Sequence, residues 1–333
     1  MASPRVSVIL PFFNAEQTLQ RAITSIREQT FRDWELIVFD DGSSDTSRRV
    51  ANAAAVADAR IRVIPSGHVG IVEALRRGCG EARGEFLARM DADDVSLPKR
   101  LERQLALMDA KPDAALCGAR VRMTGERIGP GRRRYEAWIN ALISHEDMVR
   151  ELFVECPIPH PSFLLRREAY EAVGGYEDHG WAEDYDLVMR LWQSGAHLAK
   201  EPAALLEWHE APNRLSMRDA RYSAERFRAL KRHYLTRTYL AGRPGFHQWG
   251  AGEVGKLWLR EWEGPRPEAV VDINPRKIGR VIHDVPVIAP EALPAPGKSF
   301  VVVAVGAPSA RDEIRAWLNP RGYRELEDYL FLA

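Results

Sequence analysis

Short apolar runs, each halted by a polar cluster and separated by stretches of helical spacing, dominate the first ninety residues and leave few folds open to this chain. Val6-Ser7-Val8-Ile9-Leu10 stops at Pro11, and Glu35-Leu36-Ile37-Val38-Phe39 runs into Asp40-Asp41-Gly42. Residues 61–64 and 86–90 are two more such runs, the last leading into Asp91-Ala92-Asp93-Asp94. Between them, residues 16–29, 48–57 and 71–78 carry apolar side chains at helical intervals. Strands alternating with helices predict an α/β fold whose mostly parallel sheet is covered on both faces. Such sheets bind ligands beyond the carboxyl ends of their strands. Asn14, Asp41 and Asp91 all fall at strand ends of this kind.

The acidic run carries the sharpest chemistry. Asp91, Asp93 and Asp94 crowd three carboxylates into four residues behind the apolar Phe86-Leu87-Ala88. Like charges so close repel unless a cation lies between them, and carboxylate oxygens are hard ligands suited to Mg²⁺ or Mn²⁺ shared with a phosphate-bearing substrate. The plainer alternative is an acidic loop in which Asp94 caps a helix that follows Leu97-Pro98-Lys99-Arg100.

Composition limits the setting of such a site. A chain of 333 residues, 45% hydrophobic and 28% charged, has material for two cored domains. Lys+Arg and Asp+Glu balance at 47 each, so no global field is available to hold nucleic acid. The Arg132-Arg133-Arg134 run reads as a solvated loop. Cys79, Cys117 and Cys156 are odd in number and scattered, as expected of buried thiols in a reducing compartment. No apolar stretch approaches the roughly 20 residues that span a bilayer. The expectation is a cytoplasmic protein without a transmembrane segment, at most peripheral at the inner face of the membrane.

Residues 4–215 resemble glycosyltransferase family 2, the inverting nucleotide-sugar transferases of GT-A fold. The likeness rests on residues 6–14, on Gln29-Thr30-Phe31-Arg32-Asp33-Trp34 with residues 35–45, and on the Asp91 to Asp94 run. Further on, His160-Pro161-Ser162-Phe163, Val173-Gly174-Gly175-Tyr176, Ala182-Glu183-Asp184-Tyr185 and Trp208-His209 followed by Arg214-Leu215-Ser216 match in order and spacing. The resemblance implies a metal-dependent transfer of a sugar from a nucleoside-diphosphate donor, UDP- or dTDP-linked, to a hydroxyl of a glycan, lipid-linked or other acceptor in polysaccharide or glycoconjugate assembly.

The resemblance also implies roles. Pro11, Phe13, Asn14, Asp41, Asp91 and Ala92 would surround the nucleotide sugar. Phe13 would lie against the base with about 1 kcal/mol of stacking, Asp41 would accept the base N–H, and Asp91 would sit near the ribose. Asp93, with His209, would hold the Mg²⁺ or Mn²⁺. Asp184 would be the general base that takes the acceptor proton, with Glu183 and His160 in support. Many family members have an Asn-containing segment where this chain has Ser66-Gly67-His68-Val69-Gly70, so the grip on the donor there differs.

After residue 215 the resemblance ends. Residues 217–240 read as an Arg-rich helix within a linker over 216–244, and residues 245–333 as a small Rossmann-like domain. Its marks are Gly250, Gly252 and Gly255 opening a helix over 256–262, with Asp272 at the end of the next strand. One reading is a nucleotide or phosphate ligand at the helix N-terminus. The other is a set of tight turns in a docking or homo-oligomerising domain. Two alternatives to a transferase follow, a non-catalytic nucleotide-binding scaffold and an NAD(P)-dependent oxidoreductase working through these glycines.

Overall fold

The computed structural model describes residues 3–125, 128–211, 214, 217–307 and 309–333. They form two compact units, residues 1–148 with 157–222 and residues 149–156 with 223–333. Among the described residues, no helix is long and apolar enough to cross a membrane.

The first unit is built on an eight-stranded sheet: β1 Val6–Phe12, β2 Trp34–Asp40, β3 Ile61–Pro65, β4 Phe86–Arg89, β5 Val95–Ser96, β6 Ala114–Thr124, β7 Leu164–Arg166 and β8 His197–His209. Their order is β3-β2-β1-β4-β7-β6-β8-β5. β3, β2, β1 and β4 run parallel, β7 is antiparallel to both β4 and β6, and β8 returns parallel to β6. Every residue of β1 and of β2 is buried, as expected of strands covered on both faces. One of the covering helices, Leu19–Arg27, turns Leu19, Ala22, Ile23 and Ile26 inward at helical spacing. The chain order turns back on the two sides of β1, which makes the β1/β4 edge the crevice where α/β sheets bind ligands.

Three elements differ from the sequence reading. The first helix is Leu19–Arg27, not starting at residue 16; a turn precedes it in which Thr18 N and Leu19 N both bond Ala15 O, while the N–H groups of Asn14, Ala15 and Glu16 are taken by Ser43, Ser47 and Asp45. The Arg132-Arg133-Arg134 run lies in a helix, Pro130–Ala141, started by a proline in its first turn, and not in a loop. Arg100 opens the helix Arg100–Ala110 after Lys99, with no side-chain cap, so Asp94 does not cap it.

The second unit has β9 Phe246–Trp249, β10 Pro267–Val271, β11 Val281–Ile282, β12 Val285–Ile288, β13 Phe300–Val303 and β14 Tyr329–Phe331, in the order β11-β12-β10-β9-β13-β14. All pairs are parallel except the β11/β12 hairpin. Leaving aside β11, this is the 3-2-1-4-5 order of a doubly wound sheet, with the chain reversing direction at β9. Helix Ala224–Arg237, in the segment read as a linker, belongs to this unit: buried Lys231 donates to Val154 O at 2.6 Å and to Leu332 O at 3.1 Å. The helix after β9 is Glu253–Glu261.

Two of the three motif glycines, Gly250 and Gly255, serve close backbone packing, whereas Gly252 faces open space. Gly250 has φ +113°, and a Cβ on Gly255 would come within 1.9 Å of Gly250 O. Asp272 accepts from Ala251 N at 3.0 Å, Asn274 N at 2.8 Å and Lys277 Nζ at 3.0 Å. Burial opposes its ionisation, but these three donors hold its carboxyl below the usual range. The oxygens that a ribose would need are bonded within the fold. Gly255→Ala is expected to destabilise the second unit by about 1–3 kcal/mol, the usual cost of overpacking. Denaturant unfolding checks this, and an unchanged midpoint would refute the packing account.

Candidate active site

Three loops meet beyond the carboxyl ends of β1, β2 and β4. The β1 loop carries Phe13, 48% exposed, and Asn14 at φ 48°. Asn14 Oδ1 accepts from Ser44 N at 2.9 Å and thereby ties this loop to the one after β2. Pro11 lies buried in β1 opposite Phe39. In the β2 loop, buried Asp40 bonds Ser43 N at 2.8 Å and pairs with Arg48. Asp41 is buried as well. Its Oδ1 accepts from Val69 N at 2.6 Å and its Oδ2 from Gly70 N at 3.1 Å, with His68 Nδ1 at 2.9 Å from Oδ2. Gly42 is obligatory here, because a Cβ would meet His68 N at 2.7 Å. The His68 ring rests against Phe13, centroids 4.5 Å apart.

The acidic loop after β4 is held from beneath by two arginines. Arg89, 5% exposed, donates to Asp91 Oδ1 at 2.6 Å. Arg100 is fully buried and donates to Arg89 O at 2.8 Å and Phe163 O at 3.3 Å; burial brings it down to about 10. Asp94 turns inward, where its Oδ1 accepts His209 N at 2.7 Å and its Oδ2 has no hydrogen-bond partner. Ala92 is half-buried between Asp91 and Asp93.

Burial, then the charges of Asp91 and Asp93, push the Asp94 carboxyl well above its usual range. Burial and Asp91 raise Asp93 too, opposed by Arg214 and His209. Asp91, Asp93 and Asp94 can each direct one oxygen to a common point, with those atoms within 4.8 Å of one another. Three crowded carboxylate oxygens fit a hard divalent cation. His209 meets this group through its backbone N–H, and its ring is not among the three converging ligands.

A second acidic pair opens the helix Glu183–Gln193. Glu183 is buried at 2% exposure and receives the Tyr222 hydroxyl on both oxygens, at 2.8 and 3.0 Å. Burial raises its carboxyl, while Tyr222, Arg221 and Arg89 pull it down. Asp184 Oδ1 accepts from Tyr185 N at 2.8 Å. His160 Nε2 lies 2.7 Å from the Tyr176 hydroxyl and its Nδ1 3.8 Å from Glu183. Burial and the charge of Arg89 hold this imidazole well below its usual range, so it is neutral.

Arg89 joins the two acidic groups. Burial opposes its charge, and Asp91, Tyr176 and Glu183 restore it. Nearer the end of β8, Arg132 and Arg214 both pair with Glu210, and the Arg214 guanidinium lies 4.9 Å over the Trp208 ring. Leu215 and Ser216 lie outside the described residues.

The structure thus gathers Phe13 and Asp41 at one loop pair, Asp91 and Asp93 with Asp94 at another, and Glu183 and His160 within the field of Arg89, with Asp184 next to Glu183 in the helix. Gly250, Gly252, Gly255 and Asp272 lie in the second unit. His68, Arg89, Arg214 and Tyr222 were given no role by the sequence reading, although Arg214 stands in a matched segment. Arg89 directly precedes the acidic run and His68 sits where the chain departs from the family pattern, so both had a signal. Tyr222 had none.

The model of glycosyl transferase family 2 matches residues 7–174. A putative glycosyltransferase of Bacillus subtilis, EpsE, is 30% identical over 230 residues, covering 67% of this chain and 80% of the relative. Among solved structures, Staphylococcus aureus TarS bound to UDP-GlcNAc superposes with a TM-score of 0.56 at 16% identity, over 70% of this chain and 66% of that one. A mannosyltransferase from Pyrobaculum calidifontis, solved with GDP-Man and Mn²⁺, gives 0.54 at 19% identity, over 73% and 66%. At these identities the structures establish the fold, which is GT-A. The chain belongs to glycosyl transferase family 2 and is a glycosyltransferase.

Proposed function

We propose that the first unit transfers a sugar with inversion from a UDP- or dTDP-linked donor to a hydroxyl of a glycan or lipid-linked acceptor, with a divalent ion at the acidic loop. The observation that carries this reading is the convergence of one oxygen each of Asp91, Asp93 and Asp94, beside an arginine whose charge also acts on Glu183. Asp93 and Asp91 would hold the ion, Mn²⁺ or Mg²⁺. It would supply charge to balance the departing diphosphate.

On the nucleoside side, Phe13 offers an exposed ring and Asp41 a buried acceptor. On the acceptor side, Asp184 takes the proton as the hydroxyl attacks. Glu183 next to it is held by Tyr222, which fixes the first turn of the helix that carries both carboxylates. Arg214, whose charge bears on Asp93, would meet the diphosphate.

Calorimetry against UDP, dTDP, GDP and NAD(H), with and without Mn²⁺, tests this reading. Metal-dependent binding of a nucleoside diphosphate, lost in Asp93→Ala, is the expected result; binding of NAD(H) alone would overturn it. Asp184→Asn should lower turnover by about 10²-fold with donor affinity intact, the size usual for loss of a general base. Full activity in that variant would remove Asp184 from the mechanism.

Tyr222→Phe keeps the ring and deletes the bond to Glu183. The sign follows from the causes at Glu183: Tyr222 lowers its carboxyl, so the variant raises it further. Loss of that bond loosens the first turn of the helix that carries Asp184, so kcat should fall about tenfold with donor KM unchanged. An unchanged kcat would show Tyr222 to be packing alone.

A further inference from the structure

His68 makes, within this chain, the two contacts that a nucleobase would make in the site proposed above. Its ring lies on Phe13 with centroids 4.5 Å apart and planes tilted by 35°. Its Nδ1 lies 2.9 Å from Asp41 Oδ2 and 3.1 Å from Asp41 O. Both neighbours of Nδ1 are acceptors, so Nδ1 carries the proton and donates. A flat heteroaromatic ring with an N–H on Asp41 and a face on Phe13 is a small copy of a base with a ring N–H.

Two geometric facts set this arrangement against a bound base. Rings at 4.5 Å are in contact, whereas a base between them would need about 7 Å, twice the van der Waals separation. Asp41 Oδ2 already accepts Gly70 N as well as His68, so a base N–H reaching that oxygen must replace the imidazole. Departure is feasible, because the His68 side chain is 62% exposed. The backbone of its loop stays fixed by Val69 N and Gly70 N on Asp41.

We propose that His68 is a selectivity residue of the donor site: it occupies the base position in the free enzyme and is displaced by a nucleobase that brings its own ring N–H to Asp41. The inference rests on the reading of Phe13 and Asp41 as the base site, and it narrows the donor class. Uracil, thymine and guanine carry a ring N–H that replaces the lost His68 bond. Cytosine, of nearly the same size and stacking area as uracil, presents a bare acceptor there and leaves Asp41 facing a lone pair.

The test is calorimetry with UDP and CDP in the presence of Mn²⁺, on the wild-type protein and on His68→Ala, with melting temperatures to confirm folding. The wild type should bind UDP at least about tenfold more tightly than CDP, one hydrogen bond to a charged group being worth that much. His68→Ala should bind UDP more tightly again, by about tenfold, because the base no longer competes with a resident ring. Equal binding of UDP and CDP by the wild type, or no binding of UDP, would remove Asp41 as the base reader and the inference with it. Preference for UDP with unchanged or weaker binding in His68→Ala would keep the base site and overturn the stand-in, leaving His68 as part of the stacking platform. His68→Asn, which keeps a polar group without the ring, should tighten UDP as well; if only the Ala variant did so, ring displacement would not be the cause.

Discussion

Burying a guanidinium is costly unless nearby negative charge offsets the loss of water, and burying several carboxylates together is costly unless positive charge does the same. In the first unit these two problems are set against each other. Arg89 lies at the end of β4 under the acidic loop, bonded to Asp91 and within the field of Glu183. Arg100, one helix further on, fixes the carbonyl of Arg89 and that of Phe163. Two buried cations thus stand beneath Asp91, Asp93 and Asp94, yet burial still holds Asp93 and Asp94 above the usual carboxylate range. A cluster in this charge state could hold one more cation, and the Asp94 Oδ2 has no hydrogen-bond partner.

The donor side is organised by a different device, short polar side chains bonded to backbone N–H groups of neighbouring loops. Asn14 binds Ser44 N, Asp45 binds Glu16 N, Ser47 binds Ala15 N and Asp41 binds Val69 N and Gly70 N. These bonds satisfy groups that would otherwise face solvent at strand ends, and they fix loops that regular secondary structure cannot hold. Those on Ala15 and Glu16 precede the helix Leu19–Arg27, whose first-turn N–H groups have no partner within the helix, and they leave Phe13 half exposed at the mouth against the His68 ring.

What the sequence disclosed and what it hid divide along sequence separation. The runs at 6–10, 35–39 and 86–90 were legible because strands covered on both faces are apolar throughout, and the acidic run because three carboxylates in four residues have few uses. The partner of Asp94 lies 115 residues downstream and is a backbone N–H, which no residue pattern announces. Tyr222 meets Glu183 across 39 residues, and His68 meets Asp41 across 27. The helix around Arg132-Arg133-Arg134 escaped notice because only Ile139 of its twelve residues is buried, so there is no apolar period to read.

The second unit shows why a glycine motif is weak evidence for a ligand. A strand that turns sharply into a helix needs a backbone with positive φ and a close approach between the turn and the helix, whether or not a phosphate is present. Gly250 supplies the first and Gly255 the second, since the Gly250 carbonyl occupies the space of any Cβ at 255. The acidic residue at the end of the next strand completes the usual fingerprint, but here Lys277 neutralises Asp272 and also bonds Ala251 O. That lysine closes the turn onto the strand end from within the chain, so packing and hydrogen bonding account for Gly250, Gly255 and Asp272, with Gly252 left in open space. The same logic applied at the donor site leads to the opposite conclusion, because there Asp94 Oδ2 is buried and unpaired where Asp272 is satisfied. Whether the polar groups at a strand end are bonded within the fold or left in need of a partner separates a turn from a site.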